Sequence, residues 1–227
     1  MLSYMIILIV VFLILFPIAT MILWVFTERW AWPDLFPQVF SMRALDQISA
    51  RGTELSAVFA SSVGISVVVA SLSVIVALMT ARAVVLYDFP GKQLIYFLTI
   101  LPFMIPVTVL AMGLQVLFIK QGLNNTVTGV ILIHLIASLP YAVRLLIDGT
   151  QAVGNRLEEQ ARVLGASAWK AFFYTTLPML VPVMLSSFCM AYIVSFSQYF
   201  MTLLIGGGKV KTFTIVMVPY LQSGNRN

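Results

Sequence analysis

One cysteine, one histidine and eight acidic residues are spread over the 227 residues of this chain. Each scarcity excludes something. A lone Cys189 cannot close an intramolecular disulfide, so cysteine usage says nothing of the redox compartment. A lone His134, with no second histidine or nearby carboxylate on its segment, excludes a metal centre there. Charged residues make up 9% of the chain, against about 25% in a soluble domain. With 61% hydrophobic residues and a mean hydropathy of +1.02, the sequence is that of an integral membrane protein. The net charge of +5 comes without a basic run or a basic-aromatic stripe, so it does not point to nucleic acid. A nucleotide loop is also missing. Gly206-Gly207-Gly208-Lys209-Val210 would need glycine at Leu203 and serine or threonine at Val210 to complete G-x-x-x-x-G-K-[ST].

What is there is a series of long apolar segments. Residues 1–27 carry no charge, and Tyr4 to Phe26 is long enough to cross ~30 Å of hydrocarbon at ~1.5 Å per residue. It lacks a basic leader and an A-x-A site, so it reads as an uncleaved span rather than a signal peptide. A polar stretch from Glu28 to Glu54 follows, with Trp30, Trp32, Pro33, Phe36 and Pro37 near its start. Aromatics beside a span mark an interfacial belt, with a substrate cage as the alternative. The second span, Leu55 to Ala81, carries Ser62, Ser66, Ala70, Ser73, Ala77 and Ala81 at steps of three and four. Such a stripe lets helix backbones approach closely; a polar pore wall is the minority reading. Gln93 to Ile119 reads as a third span, kinked by Pro102 and Pro106.

The fourth span runs from Val127 to about Ile147, with His134, Ser138 and Tyr141 on one face. An ionisable group at membrane depth faces protein or a water-filled cavity, so these three are either interhelical hydrogen-bonding groups or part of a solute path. The fifth span opens at Pro178 and reaches about Phe200. Ser187, Ala191, Ser195, Gln198 and Thr202 align on its most polar face. Ser187, Ser195 and Gln198 thereby join His134, Ser138 and Tyr141 as candidate translocation-path residues, interhelical bonding again being the alternative.

Between these last two spans lies RLEEQARVLGASAWKAFFYTTLP, from Arg156 to Pro178. Its first part is rich in helix formers, with Glu158 and Glu159 early and Arg162 late, the order the helix dipole favours. Gly165 stands where a glycine ends a helix, and Ser167 is placed to cap a second one that runs to Pro178. Leu157, Ala161 and Leu164 fall on one face. The pattern describes two short helices and a small rigid docking surface, with nothing catalytic in it.

Here the chain resembles the permeases of binding-protein-dependent ABC importers. Glu159, Ala161, Arg162, Leu164, Gly165, Ala166, Ser167, Trp169, Phe172, Leu177 and Pro178 match the family loop E-A-A-R-x-L-G-A-S-x-W-x-x-F-x-x-V-x-L-P, with departures at Gln160 and Thr175. The resemblance implies an all-α polytopic bundle of the type I importer permease kind. Five spans are expected here, with the family's usual sixth missing after Lys211. Residues 1–54 would form the first span and an external loop. Residues 55–227 would form the permease core, with a cytoplasmic coupling loop at 148–177. Glu159, Ala161, Arg162, Leu164, Gly165, Ala166, Ser167 and Pro178 would then be the ATPase-coupling residues. The implied partners are ATP-binding cassette ATPase subunits, a second permease subunit, an extracytoplasmic solute-binding protein and membrane lipid, with no nucleic acid. No cofactor is expected, ATP being bound by the partner subunits, and the chain would lie multi-pass in a bacterial inner membrane. The overall pattern looks most like the polyamine, ferric iron and thiamine branch.

Orientation does not follow from charge. Six basic residues (Arg82, Lys92, Arg144, Arg156, Arg162, Lys170) fall on the loop side and seven (Arg29, Arg43, Arg51, Lys120, Lys209, Lys211, Arg226) on the other. A secondary transporter or channel subunit is the alternative function. The lack of Asp or Glu within any span counts against ion coupling. A membrane enzyme would need a clustered acid-base pair that the sequence does not supply.

Overall fold

The computed structural model describes residues 2–30 and 34–222. The order is α1 (Leu2–Val25), β1 (Thr27–Arg29), β2 (Val39–Phe40), α2 (Arg43–Ala50), α3 (Gly52–Leu86), α4 (Lys92–Met104), α5 (Val107–Lys120), α6 (Val127–Val153), α7 (Arg156–Val163), α8 (Ala168–Ala171), a π turn (Phe172–Thr176), α9 (Leu177–Phe196), α10 (Phe200–Gly206) and α11 (Phe213–Gln222). The chain divides into two compact units, one up to Ala57 together with the residues from Met217, the other Val58–Val216.

In the first unit, α1 presents apolar side chains all round and buries none of its 22-residue span. The polar stretch expected after it carries secondary structure: Thr27 pairs with Phe40 and Arg29 with Val39 in an antiparallel hairpin, and α2 follows. Trp24 and Trp30 meet edge to face at 6.1 Å, and the Trp30 indole donates to the Asp34 carbonyl at 2.9 Å. Phe36 is exposed, as a belt residue is; Trp32 and Pro33 lie outside the described residues.

The second unit is built on α3 and α6. Every member of the small-residue stripe on α3, Ser62 to Ala81, is buried, because side chains this small let another helix pack against the backbone. Ile65 and Val69 cluster with Val130, Ser73 hydrogen-bonds Ser138 at 2.8 Å, and Ala77 and Ala81 cluster with Ala142 and Leu146. That register makes α3 and α6 parallel. The chain between them must therefore cross back. It does so in two pieces: the expected third span, kinked at its prolines, is broken into α4 and α5, which are bent by 112°. Pro106 is the cause, since its ring pushes the preceding residue out of helical space, and Ile105 is extended at φ −94° and ψ 127°. Pro102 sits inside α4 without ending it. The broken crossing still advances along α6: Ile95 and Tyr96 pack with the cluster at the far end of α3, Phe103 meets Tyr141 midway, and Ala111 and Phe118 cluster with Ile133. Arg82 and the loop after α6 thus lie at one end of this unit, and Lys120 at the other.

Further boundaries differ: the fourth span continues to Val153 rather than ending near Ile147. The second span is longer than read, 35 residues rather than Leu55 to Ala81. The fifth does not begin at Pro178. A continuous helix runs from Ala168 to Phe196 and stops short of Phe200. The π turn immediately before Leu177 absorbs both the missing N–H of Pro178 and the clash of its ring with the preceding turn. α9 runs antiparallel to α6, with Gly149 set against Val183 so closely that a methyl group at 149 would meet the Val183 side chain at 2.8 Å.

Candidate functional site

The stretch between α6 and α9 builds a small rigid loop from local rules. Asn155 Nδ2 donates to Glu159 Oε1 at 2.6 Å across the first turn of α7. At its end the Gly165 N–H donates to the Arg162 carbonyl and the Ala166 N–H to the Ala161 carbonyl, both at 3.0 Å. These are the two bonds of a Schellman motif, and Gly165 takes the left-handed conformation it requires, with φ at 92°. The Ser167 side chain then accepts from the Lys170 N–H and caps α8. Gly165 and Ser167 thus do what the sequence asks of them.

The loop's surface is inverted relative to a helix on a soluble protein. No residue of α7 is buried, and Val163 and Leu164 at its tip are 87% and 88% exposed. Leu157 is exposed as well, so the apolar face of α7 covers no core of this chain. Two shallow depressions open on the loop. One, of about 550 Å³, is lined by Arg156, Glu159, Gln160, Val163 and Leu164. The other, of about 440 Å³, is lined by Trp169, Lys170, Phe173 and Tyr174, with Trp169 stacked on Phe173 at 5.7 Å. Arg162 is exposed beside the first; Ala161 and Ala166 are half-buried, and Pro178 is exposed in the first turn of α9.

What faces inward from α7 is an acid. Glu158 accepts from Arg82 Nη2 through both oxygens, at 3.2 and 3.0 Å, and from the Thr176 hydroxyl at 2.9 Å. The Arg82 guanidinium lies over the Phe172 ring at 4.4 Å. The pair is largely enclosed, its side chains 19% and 15% exposed. One carboxylate therefore ties α7 to the end of α3 and to the π turn. Sequence reasoning passed over Glu158 in favour of its neighbour Glu159. No local signal marks it: its partner is 76 residues away, and only the parallel packing of α3 and α6 brings the two together.

The candidate translocation residues are interior. His134 is 1% exposed, its Nδ1 3.0 Å from the Ser195 hydroxyl and its Nε2 2.8 Å from that of Thr202. Thr202 donates its own proton to the Gln198 carbonyl, so it accepts from Nε2–H; in the neutral ring Nδ1 then accepts from Ser195. Ser138 donates to the Leu135 carbonyl and accepts from Ser73. Tyr141 packs edge to face on Phe103, and Ser187 is fully buried without a hydrogen-bond partner. Gln198 contributes its carbonyl to Thr202 and Thr214. Of the six, His134 and Ser195 meet directly, while Tyr141 and Ser187 share no hydrogen bond with them. Their bonding joins α6 to α3, α9 and α10. No group of three or more His, Cys, Asp or Glu side chains among the described residues is arranged to hold a metal.

Compared with family models, residues 73–223 match the binding-protein-dependent transport system inner membrane component. The chain belongs to this family. The match takes in the last part of α3, from Ser73, and everything from α4 to α11, including the 156–171 loop. Similar proteins include the molybdate/tungstate transport system permease protein WtpB of Thermococcus kodakarensis, 32% identical over 136 residues, 60% of this chain and 54% of that one. The probable sulfate transport system permease protein cysT of Nephroselmis olivacea is 30% identical over 161 residues, 66% and 57% of the two chains. The putative ferric transport system permease protein FbpB 1 of Haemophilus influenzae is 33% identical over 128 residues, 56% and 20%. The aligned part thus spans about half the length of the first two and a fifth of the third.

Proposed function

We propose that this chain is a transmembrane permease subunit of an ABC importer, moving a small solute that a binding protein delivers, with partner ATPase subunits supplying the energy. The observation that carries this reading is the pair of exposed apolar residues, Val163 and Leu164, on a rigidly capped turn between two spanning helices. Outside the bilayer, apolar side chains this exposed mark a contact surface. The two depressions on the loop add Glu159, Arg156 and an aromatic pair to that surface. ATP binding and hydrolysis belong to the partner subunits, and the loop passes their movement to the bundle. A second permease subunit covers part of the apolar surface of the core and completes the path, since the polar groups proposed for it are enclosed within this one. For cargo, the ferric permease fits the narrower branch expected from the sequence, while the oxyanion permeases widen the class to small solutes in general.

The test is co-purification. Val163→Asp and Leu164→Asp are expected to insert normally and to lose the co-expressed ATPase subunit by tenfold or more. Full retention of that subunit by both variants would remove the loop from the contact and take the reading with it.

A further inference from the structure

We propose that Arg82 and Glu158 form a positioning joint that transmits movement of the loop to two spanning helices at once, separately from the surface by which the loop binds its partner. The proposal rests on the permease reading above. Its geometry divides the loop into two faces. Val163 and Leu164 point to solvent, whereas Glu158 points to the bundle and is the side chain of α7 that reaches α3. Through Arg82 the carboxylate grips the end of α3; through Thr176 it grips the π turn that leads into α9. Displacing α7 therefore pulls on both helices through one group.

Two details suit a joint rather than a fixed brace. Phe172 and Thr176 both lie in the π turn, whose wider hydrogen bonding makes it the irregular part of an otherwise continuous helix. Arg82 is held by Nη2 and the Phe172 ring, while its Nη1 is buried with no hydrogen-bond partner, leaving a donor to engage in a second arrangement. Removing either charge would strand the other in a largely enclosed place, so the joint acts as a unit.

The experiment uses the chain assembled with its ATPase subunit in lipid vesicles and needs no knowledge of the solute. In a Cys189→Ser background, spin labels at Ile75→Cys on α3 and Ile193→Cys on α9, both exposed positions, report the separation of the two helices with and without magnesium ATP. Glu158→Gln and Arg82→Gln are expected to keep the ATPase subunit and its ATP hydrolysis while the ATP-dependent distance change falls by at least half. Exchanging the pair, Arg82→Glu with Glu158→Arg, is expected to recover most of that change, which a general loss of stability would not do. Should the charge variants fail to insert, Thr176→Val is expected to reduce the change and Thr176→Ser to keep it. An undiminished distance change in Glu158→Gln or, where that fails to insert, in Thr176→Val overturns the joint. So does loss of the ATPase subunit in step with the distance change. Absence of both subunit and distance change in the unaltered chain instead overturns the permease reading, and the joint with it.

Discussion

Where α6 packs on α9, His134 and Ser195 are buried against each other, yet just beyond the end of α6 Val163 and Leu164 stand in solvent. The two regions place polarity in opposite ways because their surroundings differ. Among spanning helices, lipid offers apolar groups no worse a home than the protein does, so burial is decided by polar groups seeking partners and by small residues allowing close approach. Outside the bilayer, water restores the usual cost of apolar exposure. A side chain such as Leu164 then persists at a surface where something covers it. The seam is read by what it hides and the loop by what it shows.

The comparison breaks most readily at Gly165. At φ 92°, with nothing within 4 Å of where a Cβ would stand, substitution strains the backbone by about 1 kcal/mol and clashes with nothing in this chain. Gly165→Arg is therefore expected to insert normally yet reduce co-purified ATPase subunit to background, because the added bulk and charge fall beside the proposed contact. Retention of the subunit would show the loop to be ordinary surface.

The seam should respond through stability instead. Gly149→Leu drives a side chain into Val183 and is expected to cost about 1–3 kcal/mol, read as a lower unfolding midpoint in mixed micelles. Val183→Ala in the same chain should return part of it. If the midpoint does not move, α6 and α9 are not in close contact. His134→Leu removes two interhelical hydrogen bonds and is expected to cost about 1 kcal/mol in the same assay, without loss of the ATPase subunit. A loss of partner with no change in midpoint would instead give the histidine a role outside the seam.

The smallest effect is expected at Asp88, whose hydrogen bond to Lys92, at 2.8 Å, holds its carboxyl below the usual carboxylate range although the group is in water. Because the folded pKa is lowered, whatever the pair contributes is present at neutral pH, above the unfolded value, and is lost as pH falls through the folded one. Lys92→Gln should raise the Asp88 titration midpoint in a pH series followed by carboxyl chemical shift, with no effect on partner binding. A midpoint that stays put would mean the pair does not form in solution.

What local chemistry decides is legible in the amino-acid order alone. Apolar length marks the spans at α1, α3 and α6, since each hydrocarbon crossing demands a long run of mostly apolar residues. Gly165 and Ser167 announce their turn and cap, because those roles depend on one residue's backbone freedom and one hydroxyl. The stripe from Ser62 to Ala81 announces a close helix contact but not its partner. Tertiary structure alone decided the rest. Pro102 and Pro106 look alike in sequence, yet only Pro106 breaks its helix. Pro178 reads as a helix boundary until the π turn carries the chain past it. Glu158 and Glu159 are adjacent and chemically identical, and the choice of Glu158 as the buried acid rests on Arg82 arriving from 76 residues away. That pairing depends on the parallel register of α3 and α6, which is set by many weak packing contacts along their length and by no single residue that a reader of the sequence can see.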